Sequence, residues 1–474
     1  MPATSDHGRV LTILTVATFV VILNETLLVN AIPQLMHAFD VTAADAQWLS
    51  TAFMLTMAVV IPTTGWFMQR FQRRTVFALA MGSFTLGTLL AAVAPVFAVL
   101  LVGRIVQAAG TAMMMPLLMT TVMTLVPLEQ RGRAMGNVSL AISAAPALGP
   151  TSSGLILQLA SWRWLFLLVL PLAVVMSVVG YRMMPANEAN PTDTLDLLSL
   201  PLAALGFGGL IYGMTQVGVP AVEGAGPVLP PALVIALAVA ALVALVLRQF
   251  ALIRSERAPL LDLRALGERG FAVTMAIMCV AMMAMLGTLI LVPIWLQEAR
   301  GLTVLQAGLV MLPGALLMAF LARPVGRWYD RIGPRPLVLP GAVLATSSLA
   351  IGFLGTHDAP WWLFLVVHPL LSLGLALMFT PLFTSGLASL PPHLYSHGSA
   401  IMGTFQQVAA AAGTALAVTV MTARTAGLVQ AGEDPVHALS GGVSAALGIG
   451  AAIFVLATAL TLLVRRPAGA PTAA

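Results

Sequence analysis

The chain has 474 residues, 59% of them hydrophobic and only 8% charged, with a net charge of +5. A water-soluble globule of this length needs far more charged surface, and the apolar runs repeatedly exceed the roughly 20 residues that cross a bilayer, so the composition points to an all-α polytopic membrane protein in contact with the lipid bilayer. The basic residues are all arginine and sit in short clusters between the runs, with no separate basic domain, which excludes nucleic acid as a partner. Cys279 is the single cysteine, so no internal disulfide is expected.

The first apolar run follows Arg9, is too long for a signal-peptide core and lacks an A-x-A exit, so it is expected to remain as the first span. Counting runs separated by Arg, Gly/Pro or acidic breaks predicts about fourteen helices, near 10–34, 47–68, 75–94, 97–126, 134–159, 164–184, 196–217, 229–250, 271–297, 305–326, 336–355, 361–389, 398–423 and 441–464. Arg70, Arg73, Arg74, Arg131, Arg133, Arg182, Arg248, Arg254, Arg257, Arg264, Arg269, Arg327, Arg331, Arg335, Arg465 and Arg466 fall on the N-terminal side in alternate loops. The opposite loops hold only Arg163, Arg300 and Arg424. The Arg-rich side, with both termini, is therefore expected to be cytoplasmic.

A repeat divides the chain. Gly65, Arg70 and Arg74 after helix 2 match Gly326, Arg331 and Arg335 after helix 10 in their spacing. The expected organisation is an N-terminal six-helix bundle over 1–190, two additional helices over 191–250, a cytoplasmic linker over 251–270 and a C-terminal six-helix bundle over 271–474.

Glu25 lies in the middle of the first run, and an ionised carboxylate at mid-membrane costs at least about a few kcal/mol, so such acids face cavities, find partners or exchange protons. Arg104 is the second ionisable group set well inside a span. At about 1.5 Å per residue both lie roughly 12–14 Å below the outer surface, which permits an ion pair. A static pair would fix helix packing; a pair that separates would load or release a proton. Two buried charges are a costly packing device, which favours proton coupling.

Asn24, Asn30 and Gln107 are candidates for polar contact with substrate, or for interhelical hydrogen bonds. Met113 and Met114, with Met115 and Met119 on helix 4 and Met275, Met278, Met282, Met283 and Met285 on helix 9, suit a surface that receives varied apolar ligands. Gly149, Pro150 and Gly154 on helix 5 predict a kinked, closely approachable seam. The Arg clusters after helices 2 and 10 read either as topology signals alone or, for Asp330 with Arg331 and Arg335, as a latch on the cytoplasmic side through charge pairs and helix ends. His368, inside helix 12, reads as a packed neutral histidine ahead of the alternative of a proton relay. No phosphate-binding loop, H-E-x-x-H or paired cysteines occur, so no enzyme, cofactor or metal is expected, and ATP is not the expected energy source.

These residues resemble the fourteen-span drug:proton antiporters of the major facilitator superfamily. Leu23-Asn24-Glu25-Thr26 through Ala31-Ile32-Pro33 resembles the family's helix 1 signature, Gln47-Trp48 with Phe53-Met54-Leu55 its entry to helix 2, and Arg104-Ile105-Val106-Gln107 the motif whose arginine serves proton transfer. Gly149-Pro150 with Gly154 is similar to the helix 5 antiporter motif, and Trp162 to Phe166 with Pro171, Gln306-Ala307-Gly308 and Leu312-Pro313-Gly314 are further matches. The signature usually has Asp where Asn24 stands; the acid here comes one place later, about 100° around the helix. Gln69 and Gln72 replace the usual Asp and Gly, and Ala108 the usual Gly. The resemblance implies a multidrug efflux transporter of a bacterial inner membrane that works by alternating access on a small-molecule substrate, driven by protons and acting as a monomer. A metabolite facilitator or proton symporter on the same fold, and a non-transporting receptor or lipid-interacting scaffold, remain as alternatives.

Overall fold

The computed structural model describes residues 3–28, 31–184, 196–217, 229–356 and 360–464; Asn30, Arg465, Arg466 and the Pro150 side chain lie outside the described set. Among the described residues there are helices and no strands. In chain order they are α1 (Ala3–Leu27), α2 (Asp45–Arg70), α3 (Arg73–Ala92), α4 (Phe97–Leu125), α5 (Arg131–Leu159), α6 (Arg163–Met183), α7 (199–216), α8 (Pro231–Arg254), α9 (Arg269–Ala299), α10 (Val304–Ile332), α11 (Arg335–Gly355), α12 (Trp361–Ala388), α13 (Pro392–Gln430) and α14 (Pro435–Thr461).

Twelve of these are long and apolar enough to cross a membrane. The expected spans 134–159 and 196–217 are helical as well: α5 runs over Arg131–Leu159, and α7 carries a π-turn over Ala204–Gly208. Helix 1 ends at Leu27, short of the expected 34, and a separate short helix, Ile32–Phe39, follows. Helix 13 is longer than expected because nothing in its Ala-rich C-terminal half stops it before Gln430.

Local signals start the helices. Thr42 caps α2 and accepts from Asp45 N at 3.2 Å while the Asp45 carboxylate accepts from Thr42 N; Thr303 and Gln306 form the same capping box at the head of α10. The offset that takes Gly65 to Gly326 also takes Thr42 to Thr303, so the repeat seen in the loops extends through a whole helix. Packing between helices in lipid gains little from apolar burial and depends on close fit. The fit is supplied by one apolar cluster centred on α1–α6, containing Phe77, Phe84, Met114 and Phe166, and another centred on α9–α14, containing Trp295, Phe364 and Phe454.

α7 and α8 sit beside α1–α6, with Tyr212 stacked on Trp48 at 6.0 Å. Arg248 clamps Asp196 at 2.7 and 3.1 Å, and Gln249 joins Ser199 to the Leu261 backbone. The Arg248 guanidinium bound to Asp196 holds its carboxyl below the usual range. At Asp262 burial pushes the carboxyl up, but the bidentate hydrogen bonds from Arg264 outweigh it and leave it below the usual range. The linker after α8 buries Leu260, Leu261 and Ala265 in the first apolar cluster, so it is a packed strap.

Candidate functional site at the α1–α4–α5 junction and the Arg-rich seam

α1 packs against α4 and α5 and brings the helix 1 acid to the helix 4 arginine. Glu25 is half-buried in the last described turns of α1, and Asn24 beside it is buried with Oδ1 unpartnered. Thr26 bonds back to the Leu23 carbonyl at 2.9 Å and reaches the Ala145 carbonyl of α5 at 3.4 Å. Gly149 makes that approach possible: a Cβ there would lie 2.6 Å from Thr26 Cβ. Gly154 has nothing within 4 Å of its Cβ position. Gly154 lies five residues on and about 140° around the helix from Gly149, on a face that α1 does not meet.

Arg104 is 2% exposed. Its Nη1 donates to Gln107 Oε1 at 2.5 Å, Gln107 Nε2 donates to Thr88 Oγ1 at 2.8 Å, and Thr88 donates to the Phe84 carbonyl at 2.7 Å. The guanidinium lies over the Phe53 ring, 4.0 Å from its centroid, a cation–π contact that is strongest where water is excluded. Its Nε is buried without a partner. Arg104 and Glu25 lie close enough for their charges to act on one another, yet among the described residues no carboxylate closes to an ion pair with Arg104. The permitted ion pair is therefore not formed. The arginine is fixed by α2, α3 and α4, and the carboxylate stands in its field unbonded. This holds a positive charge in a fixed seat beside a carboxyl with which it forms no ion pair.

Gln107 is fully buried in that relay, and Met113 and Met114 are packed in the first apolar cluster. These three of the five expected substrate contacts thus have intramolecular neighbours in this state, Gln107 through its bond to Thr88 of α3. Phe53 and Thr88, which complete the arginine's seat, were missed as functional residues. An aromatic and a threonine in apolar helices carry no signal until the helix faces are known.

Hydrogen bonds joining α1–α6 to α9–α14 gather at the Arg-rich end. Asp330, near the C-terminus of α10, accepts from Gly132 N at 2.7 Å and Arg133 N at 2.8 Å, capping the open N-terminus of α5. Gln69, at the offset position on α2, donates to the His393 carbonyl in the first turn of α13 at 3.2 Å. Thr120 pairs with Ser399, Ser139 with Thr380, and Arg131 with the Tyr395 hydroxyl. Gly326 lies directly on Gly132 and Gly136. The expected latch is present in altered form: Asp330 engages a helix end, while Arg331 and Arg335 are exposed. Arg74 stacks on Tyr181 of α6 at 3.9 Å, within the first set of helices. Asp330→Ala removes two charge-assisted hydrogen bonds, each worth roughly 1.5–3 kcal/mol. Spin labels on Glu129→Cys and Arg335→Cys should then report a shift of at least about tenfold from the short to the long distance population, with Asp330→Asn intermediate.

Residues 14–414 match the Major Facilitator Superfamily. The chain belongs to that superfamily. Among superfamily relatives, it is 38% identical to the MFS-type transporter YcnB of Bacillus subtilis, covering 98% of this chain and 96% of that protein. It is 35% identical to the lincomycin resistance protein LmrB of Listeria monocytogenes, covering 95% of each. The human organic anion transporter MFSD10 shares the fold, with a TM-score of 0.67 at 16% identity over 96% of this chain and 99% of that one. The protein is accordingly a multi-pass membrane transporter of the superfamily and not an enzyme, and the two sets of six helices meeting at the Arg-rich end are the superfamily's architecture.

Proposed function

We propose that this transporter exports lipophilic or cationic compounds in exchange for protons, with Glu25 as the coupling acid, Arg104 as its fixed counter-charge and the Arg-rich end facing the cytoplasm of a bacterial cell. The observation that carries the reading is the seat of Arg104. A guanidinium held by Phe53 and the Gln107–Thr88 relay keeps its place whether or not Glu25 is ionised, so proton binding changes only the pull on α1. That pull acts next to Gly149, where α1 and α5 touch, and α5 begins at the Asp330 cap. One helix therefore links the acid to the closure between the halves. The resistance named in the Listeria relative supports a drug-like substrate.

The test is purified protein in proteoliposomes, with ethidium as the lipophilic cation and an imposed proton gradient. Flux should follow the gradient's direction and stop when an ionophore collapses it. Flux indifferent to the gradient would replace export by antiport with a facilitator.

A further inference from the structure

The repeat assigns Arg104 a counterpart. Helices α3 and α4 close on Gly110, whose Cβ position is 2.6 Å from Phe84 N, and α11 and α12 close on Gly374, 2.8 Å from Ala345 N. Phe84 and Ala345 are related by the offset that relates Gly65 to Gly326, so the two glycines are equivalent points. Arg104 stands six residues before Gly110, and His368 six residues before Gly374. The residue facing Arg104 from α2 is Phe53, and the same offset leads to Gly314 on α10. A Cβ on Gly314 would strike Nδ1 of His368 and lie 2.6 Å from its Cε1 and 2.7 Å from Ser372 Oγ. Where the first half has an arginine seated on a phenylalanine, the second has a histidine facing a glycine and a buried serine.

The His368 ring hydrogen-bonds the Met311 backbone, and its Nδ1 is buried without a partner. A neutral imidazole carries its hydrogen on one nitrogen and a lone pair on the other, so it can gain one proton. Among the described residues no charged group acts on the ring from α5, α9, α10, α11 or α13, the elements packed on α12. His368 leaves Nδ1 bare beside a position stripped of its side chain.

We propose that His368 is a second proton-carrying residue of the transport cycle: when α10 and α12 part, Nδ1 takes a proton from hydronium on one side of the membrane, and it releases that proton to water on the other side before the helices close to the contact seen here. The proposal rests on the proton-coupled reading above. The proton to substrate ratio would be read from the reversal potential of ethidium flux in proteoliposomes, beside ethidium exchange at equal pH, which needs no net proton movement. His368→Gln and His368→Asn should each lower the ratio by one proton per cycle, with exchange kept within about twofold. An unchanged ratio in both variants, in a wild type that is proton-driven, overturns this proposal alone. Loss of exchange together with driven flux in both variants makes His368 structural and also overturns it. A wild type whose reversal potential ignores the pH gradient overturns the proton-coupled reading and this one with it.

Discussion

Glu25→Gln should abolish gradient-driven accumulation of ethidium while leaving its binding within about threefold of wild type. The substitution keeps the side chain's size and its capacity for hydrogen bonds but fixes the uncharged form, the one in which Arg104 has no charge to attract. The Arg104 seat does not include Glu25, so it should survive: the guanidinium remains over Phe53 and bonded to Gln107. One pH unit supplies about 1.4 kcal/mol per coupled proton, or roughly tenfold accumulation; the variant should show none. Arg104→Gln should be damaging in wild type but should add little to Glu25→Gln, since residues acting through one interaction are not additive. Full accumulation in Glu25→Gln would remove Glu25 from the coupling mechanism.

Gly326→Val should trap the protein with its Arg-rich end open and lower transport by about a hundredfold. The Cβ position of Gly326 is 2.9 Å from Gly136 Cα and 3.0 Å from the Gly132 carbonyl carbon, so it meets backbone, which has no rotamer to give way. Overpacking costs about 1–3 kcal/mol where side chains can adjust, and this seam offers no such adjustment. Gly154→Val, by contrast, meets nothing within 4 Å and should transport normally. Distances between spin labels flanking the seam would separate trapping from unfolding, because a trapped protein keeps a single long distance and its melting transition. A closed seam in Gly326→Val would show that the approach of α5 to α10 is not needed for closure.

Much of the fold was legible because bilayer physics writes itself into composition. Helix length, the Arg-poor and Arg-rich loops and the Gly65/Gly326 repeat all follow from constraints that act locally along the chain. Glu25 and Arg104 stood out for the same reason: a charge in an apolar run is visible one residue at a time. Facing is a different matter. Gln107, Met113 and Met114 looked like cavity residues because polarity and softness are properties of a side chain, whereas the relay to Thr88 depends on how α4 rotates against α3. For Asp330 both charge pairs and helix ends were open, and only packing shows that it caps a helix from the other half of the chain. A helix N-terminus is a site only once something is packed on it.

The sequence by itself determined the class of protein, the helical segments, the duplicated plan and the two intramembrane charges, because each depends on residue type and spacing. Only the tertiary structure decided that Arg104 rests on Phe53 without an ion pair, that the halves close by glycine contact and a helix cap, and that His368 occupies the place in the second half that Arg104 holds in the first. Those depend on which helix faces meet, and in lipid that choice is made by close packing between small residues far apart in the chain.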